Sequence, residues 1–371
     1  MSTVFLSPYE IKEHITLRNR VIMAPMTINS STTEGEVTDE ELAYYLVRSS
    51  SPGAVITAGA YISSEGQAFN NGMSVAKDRF IPGLKKLASV IQIQGAKAIL
   101  QIYHGGRMAR SELNSGRIPV APSAVKADRP WAEFPRQLGM TDIELIINQF
   151  AQAVRRAINA GFDGVELHGA NTYLLQQFFS PHSNRRTDEW GGSFENRMKF
   201  PLRVIHACQQ MIDKYADDSF ILGYRISPEE IETPGIRLDD TLQFIDQIID
   251  HGIDYIHLSL KHYYQPSIVG IGNYHVNIPK EIYKHINQRI PMINVGRVLS
   301  PKDATKALEY SDLIAVGRQY IMDPRWIQKY ELGREKEIYK AIHLSKQNQL
   351  GIPDGLWNMI TNAPGWFPIE E

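Results

Sequence analysis

The chain holds a single cysteine, Cys208, among 371 residues. An intramolecular disulfide, a cysteine-ligated zinc site and an iron–sulfur cluster built from this sequence are therefore excluded. Long apolar runs are missing too, and nothing approaches the ~18 consecutive apolar residues of a membrane span. Met1–Glu10 shows no basic start followed by an apolar segment, so no secretory signal is expected there. Neither sign of charge predominates. Basic residues number 39 and acidic residues 41, for a net charge of −2, which leaves no electrostatic footprint for nucleic acid or an anionic membrane. The expectation is a soluble, cytoplasmic protein. A G-x-G-x-x-G turn is also lacking after every apolar run; Gly270-Ile271-Gly272 is only a fragment of one.

What is present is ordinary globular composition, 43% hydrophobic and 22% charged, enough for a large core. Eight short β-rich runs recur: Arg20–Ala24, Ala54–Thr57, Ala98–Ile102, Gly164–Leu167, Ile221–Ile226, Tyr255–Ser259, Pro291–Val295 and Leu313–Val316. Between them lie segments with apolar spacing of three and four, the clearest being Ile143–Ala160 and Leu238–His251, each closed by glycine. Strands alternating with helices imply parallel βαβ units, and eight of them predict a (β/α)8 TIM barrel in one domain. Two connections exceed simple βα loops: His104 to Met140 after strand 3, and Gly169 to Ser193 after strand 4. Loops of that length in a compact domain are usually functional. The barrel is expected over 1–335, with a helix at Glu335–Gln347 opening a tail, 336–371, that packs on the barrel or a partner subunit.

Polar and small residues crowd the predicted strand ends, the rim where barrels place their active sites. Two Gly-Arg pairs, Gly296-Arg297 and Gly317-Arg318, follow strands 7 and 8. There glycine lets backbone N–H groups approach a phosphate and arginine supplies a forked donor. Glu166 and His168 alternate onto one strand face. Beyond a tight Gly-Ala turn come Asn171 and then Tyr173, where a helical turn should begin. A histidine and an asparagine on one loop can donate to one oxygen, and a nearby phenol can deliver a proton.

The run PHSNRRTDEWGGSFENR at Pro181–Arg197, joined to ELHGANTYLLQQFFS upstream and LRNRVIMAPMT at Leu17–Thr27, resembles the Old Yellow Enzyme family of flavin-dependent ene-reductases. The resemblance spans about Leu6 to Leu332. It implies a barrel that binds FMN non-covalently and is reduced by NADH or NADPH. It further implies ping-pong reduction of the activated C=C bond of enones, enals or nitroalkenes, and in some members of quinones or nitro groups. By resemblance Ala24, Pro25, Met26 and Thr27 line the flavin ring, and Gly59 lets it approach strand 2. Gln101 and Arg225 meet its pyrimidine end. Gly296, Arg297, Gly317 and Arg318 hold the phosphate. His168 and Asn171 take the substrate oxygen, and Tyr173 protonates the α-carbon. FAD is disfavoured, since its adenosine would need a Rossmann-type domain.

Departures from the family pattern are specific. Tyr103 stands where some members have tryptophan, Thr27 where others have cysteine, and no arginine follows Arg334 to reach a neighbouring subunit's site. One cysteine and a chain ending at Glu371 speak against the iron–sulfur cluster and added domains of larger relatives.

Three rival functions stay open at this level. A metal-dependent barrel hydrolase could use His104, His168 and His257 with Glu166, although no metal site is expected. A Schiff-base aldolase could use Lys261, and a flavin-binding protein could keep the fold without turnover. Cys208 reads as core, Arg185-Arg186 beside Asp188-Glu189 as a charge network, and Trp357 and Trp366 as packing aromatics. A homo-oligomer is compatible with the sequence.

Overall fold

The computed structural model describes residues 3–268 and 276–370, so Gly270-Ile271-Gly272 lies outside the described residues. Eight parallel strands close into a barrel: β1 Val21–Met23, β2 Ala54–Ile56, β3 Lys97–Tyr103, β4 Gly164–Gly169, β5 Ile221–Ile226, β6 Tyr255–Leu258, β7 Met292–Val295 and β8 Leu313–Val316. Each pairs with the next, and β8 returns to β1 through Ala315 opposite Ile22. All eight sequence runs are strands, and the fold is the expected TIM barrel. Nearly every strand residue is buried, because both faces of a parallel barrel wall are covered.

Alternation sorts the wall residues between two cores. Val21 and Met23 point outward to the helices, whereas Ile22 points inward with Ile56, Ile99, Ile221 and Ile293. Ile11, Ile15 and Leu17 join that inner cluster from an antiparallel hairpin, Tyr9–Lys12 with Ile15–Leu17. The outer layer consists of α1 Asp39–Arg48, α2 Ile81–Gln92, α3 Met140–Asn159, α4 Leu174–Phe179, α5 Phe194–Tyr215, α6 Leu238–Asp250, α7 Ile278–Ile286 and α8 Pro301–Ala307. α9 Arg318–Met322, α10 Trp326–Glu331 and α11 Asp354–Thr361 complete it. α3 starts three residues before Ile143, because the Asp142 carboxylate reaches back to the Gly139 N–H at 3.1 Å and caps the extra turn.

The two long connections have distinct contents. Residues 104–139 form two 3-10 turns and a short strand pair, Val120–Ala121 with Arg136–Gln137; residues 170–193 contain α4. Arg186 ties these segments together. Its buried guanidinium donates to Pro122 O at 3.0 Å and Leu138 O at 2.6 Å and grips Asp188, so the charge run is an internal network. Cys208 is buried in α5, which pushes its thiol far above the usual range.

The tail corrects one expectation. Glu335–Gln347 is not a helix: after a 3-10 turn at Glu335–Glu337 the chain runs extended to a strand pair, Ile342–His343 with Ile369–Glu370. Its backbone donors are claimed by distant partners, Tyr339 N–H by Asp323 at 3.0 Å and Ile342 N–H by Pro368 O at 2.8 Å. Those tertiary bonds replace the helical ladder expected there. The tail's helix is α11 instead.

Candidate active site

Register across the barrel puts polar side chains at one level. Arg225 on β5 lies opposite both His168 on β4 and His257 on β6, and Gln101 on β3 lies opposite Glu166. In-register residues of parallel neighbours point to the same side. Here that side is the barrel interior, just below the C-terminal rim.

Glu166 is wholly buried and accepts three hydrogen bonds: from Gln101 Nε2 at 2.7 Å, His257 Nδ1 at 2.8 Å and Tyr255 OH at 3.0 Å. Burial alone would raise its carboxyl, but His257, the Arg225 cation and Gln101 outweigh it and hold the carboxyl below the usual range. Burial in turn pushes the His257 imidazole below its usual range, and its Nδ1 lies against the carboxylate. The network fixes the Gln101 amide with its nitrogen on Glu166 and its oxygen turned toward Gly59, where a Cβ would come within 2.9 Å of Tyr103.

Above this floor opens a cavity of about 660 Å³ lined by Ala24, Pro25, Met26, Thr27, Arg225, Gly296, Arg297, Gly317 and Arg318, nine of the residues named from sequence. Four cations, Arg225, Lys261, Arg297 and Arg318, border it, and among the described residues no carboxylate does. Arg225 is buried with its Nε unpartnered, and no hydrogen bond ties its side chain to another described residue. A buried guanidinium without a protein acceptor calls for an acceptor-rich ligand. Gly296 has φ of 116°, and a Cβ there would fall within 2.6 Å of the His262 backbone, so only glycine makes this turn. Arg318 Nη1 donates to Trp366 O at 3.2 Å, which brings the tail over the cavity's edge.

The rim group flanks the cavity through Phe69. Its ring sits 6.4 Å from Tyr103 and 6.5 Å from Tyr173, while Tyr173 lies 5.2 Å from Tyr103 and 4.7 Å from His168. Tyr173 is the N-cap of α4, as the loop's sequence suggested, and burial raises its phenol well above the usual range. His168 Nδ1 accepts the Ala170 N–H at 3.3 Å, so the ring proton resides on Nε2. Burial, with Arg225 and His257 nearby, keeps the ring neutral. Asn171 Oδ1 accepts from Ser259 Oγ at 2.7 Å, leaving the amide N–H groups to donate outward. His168 and Asn171 thus each keep an N–H free to donate, and Tyr173 keeps its phenol proton.

Phe69, Leu260, Met359 and Trp366 line the cavity without having been singled out as site residues. Phe69 sits in an irregular loop, and Met359 and Trp366 belong to the tail, so neither position carries a strand-end signal. Trp366, read as a packing aromatic, borders the cavity as well. The rival constellations do not assemble. His104 turns Nδ1 to the Gly106 N–H at 3.0 Å, His257 binds Glu166, and no group of three or more His, Cys, Asp or Glu among the described residues could hold a metal ion. Lys261 is exposed, not the desolvated amine that a Schiff base needs.

No helix among the described residues is long and apolar enough to cross a membrane. A Klebsiella pneumoniae protein named NADH:fumarate oxidoreductase is 45% identical over 355 residues, covering 95% of this chain and 38% of that protein. An NADH:acrylate oxidoreductase of Vibrio harveyi is 44% identical over 349 residues, covering 93% and 35%. The chain therefore spans well under half the length of these two relatives. A Bacillus subtilis protein named as a probable NADH-dependent flavin oxidoreductase is 40% identical over 365 residues, covering 98% and 97%. Among solved structures, morphinone reductase in complex with tetrahydroNAD superimposes with a TM-score of 0.77 at 25% identity, covering 100% of this chain and 98% of that one. The model of the NADH:flavin oxidoreductase / NADH oxidase family matches residues 4–337, which takes in all eight strands and the rim they carry. The chain belongs to that family, the Old Yellow Enzyme group of NAD(P)H-dependent flavin oxidoreductases.

Proposed function

We propose that this chain binds FMN in the cation-lined cavity and uses NADH or NADPH to reduce C=C bonds activated by a neighbouring carbonyl or nitro group. The observation that supports the reading is Arg225, buried with no hydrogen-bond partner among the described residues, in a cavity lined by four cations and by no carboxylate of the described residues, with Tyr173 and then His168 packed behind its Phe69 wall. The donor set fits FMN. Arg318 and Arg297, with the Gly296 and Gly317 backbones, would hold the phosphate; Arg225 and Gln101 would meet the pyrimidine; Ala24 to Thr27 would line the ring. When bound, FMN supplies reversible hydride chemistry, taking hydride from a nicotinamide and giving it to an electron-poor β-carbon.

The protein's own part is electrostatic and positional. His168 Nε2–H and the Asn171 amide stabilise negative charge building on the substrate oxygen, and loss of one such donor costs about 3–4 kcal/mol. A neutral histidine suits this task, since it donates without surrendering its proton. Tyr173, held protonated by burial, supplies the proton that the α-carbon needs. Tyr103, Phe69 and Tyr173 form an apolar wall that keeps bulk water from the reacting carbons.

The names of the longer relatives support acrylate and fumarate as acceptors to test beside enones and quinones, although those activities belong to proteins of which this chain matches a minor part. The deciding experiment is purification, a visible spectrum and an anaerobic acceptor screen after NADH and NADPH reduction. Yellow protein that releases FMN on heating and turns over an enone is expected. Released FAD, or colourless protein that cannot be reconstituted with FMN, would overturn the cofactor; bound FMN without turnover would leave a flavin carrier.

A further inference from the structure

The turn that delivers Asn171 and Tyr173 is bent against its own chemistry. Asn171 and Thr172 have φ of 55° and 60°. Asparagine visits this left-handed region with some ease, but a β-branched residue there is a true outlier. Such a conformation persists only where its surroundings over-determine it, and every polar group of Thr172 is held. Its N–H donates to Gln176 Oε1 at 2.9 Å, its carbonyl accepts from Gln177 Nε2 at 2.5 Å, and its Oγ1 accepts from Arg107 Nη2 at 3.0 Å.

The holders are themselves fixed. Gln177 is fully buried and also donates to Gly105 O at 2.9 Å while accepting from the Arg107 N–H at 3.0 Å. Gln176 Nε2 binds Glu230, whose second oxygen accepts from Ser180 Oγ and the Ile236 N–H. Arg107 is buried from the long loop after β3, so the loops after β3 and β4 meet at one hydroxyl. Glycine would adopt φ near 60° without strain. What threonine adds at this position is the hydroxyl that Arg107 grips.

We propose that Arg107 and Thr172 are a positioning pair: their hydrogen bond locks the turn in its left-handed form and so aims the Asn171 amide and the Tyr173 phenol at the substrate. The proposal rests on the reading of His168 and Asn171 as the site for a substrate oxygen. Neither member of the pair lines the cavity. Without the tether the turn relaxes toward ordinary backbone angles, and Asn171 swings off its line to Ser259.

The test compares Thr172→Ser, Thr172→Val and Thr172→Gly in FMN-loaded protein. Cyclohexanone, a carbonyl compound with no C=C bond to reduce, is titrated spectroscopically. FMN affinity, and KM and kcat for cyclohexenone, are measured beside it. Thr172→Ser keeps the hydroxyl and should bind cyclohexanone within about twofold of wild type. Thr172→Val keeps the branch but loses the tether; binding should weaken about tenfold, the scale of one hydrogen bond to a charged group, with KM rising in step. Thr172→Gly should fall between them, because it takes the same turn unaided. FMN affinity should be the same in all three. Wild-type binding in Thr172→Val would overturn the pair, and so would a Thr172→Gly variant as poor as Thr172→Val, which would mean that the hydroxyl acts directly. Loss of FMN affinity in Thr172→Val would reduce the pair to a general structural contact. Wild-type protein that binds no cyclohexanone would overturn the oxygen site itself, and the pair with it.

Discussion

Replacing Tyr173 with phenylalanine isolates one proton. The ring is buried and packed between His168 and Tyr103, with centroids at 4.7 Å and 5.2 Å. Phenylalanine keeps that volume, and no hydrogen bond from the Tyr173 hydroxyl to another described residue is lost. Folding and FMN binding should therefore survive, with stability changed by about 1 kcal/mol or less. The catalytic loss should be far larger. A positioned acid contributes about 10²–10⁴-fold, or roughly 3–5 kcal/mol of barrier at 1.36 kcal/mol per tenfold. NADH-driven turnover of cyclohexenone should fall at least a hundredfold. Turnover of a quinone should change little, because a quinone needs no proton delivered to carbon. The assay is NADH oxidation at saturating acceptor, run with both acceptors on one preparation. An undiminished enone rate would show that water or another acid protonates the α-carbon. Equal slowing with both acceptors would show that Tyr173 acts through packing.

Three further outcomes follow from the same geometry. Arg318→Ala removes a cation from the cavity and its bond to Trp366 O, and FMN affinity measured by fluorescence titration should drop by about 1.5–3 kcal/mol; unchanged affinity would put the phosphate elsewhere. Because burial holds His168 neutral, the apparent affinity for an enone should show no inflection near pH 6.5, and a clear one there would mean that the ring titrates in the ordinary range. His104 is wholly buried and its imidazole is pushed down to about 3, so the unfolded chain binds the extra proton first. Its contribution to stability is complete above pH 6.5 and drains away as pH falls toward 3, at up to about 1.4 kcal/mol per pH unit. Urea unfolding of His104→Gln should show a shallower loss between pH 6 and 4 than wild type, and an unchanged slope would refute this.

The barrel was legible in the chain because parallel strands buried on both faces leave short continuous apolar runs, and all eight were readable as such. Local chemistry also exposed the two Gly-Arg pairs and the His168–Tyr173 turn, since strand ends in a barrel converge on one rim wherever the intervening helices lie, while the family resemblance supplied Ala24 to Thr27 and Arg225. Tertiary structure alone decided the rest. That the Glu166 carboxyl is held below its usual range depends on the register that brings Gln101 of β3 and Tyr255 and His257 of β6 to it, because burial alone would raise it. The tail was expected to open with a helix, but Asp323 and Pro368, distant in sequence, bound its backbone donors and pulled it straight. For the same reason Trp366 and Phe69 reached the cavity unannounced: no local pattern records which loop will be folded over a site. Thr172 is the extreme case, since its left-handed backbone runs against its own propensity and exists only because Arg107, Gln176 and Gln177 close around it.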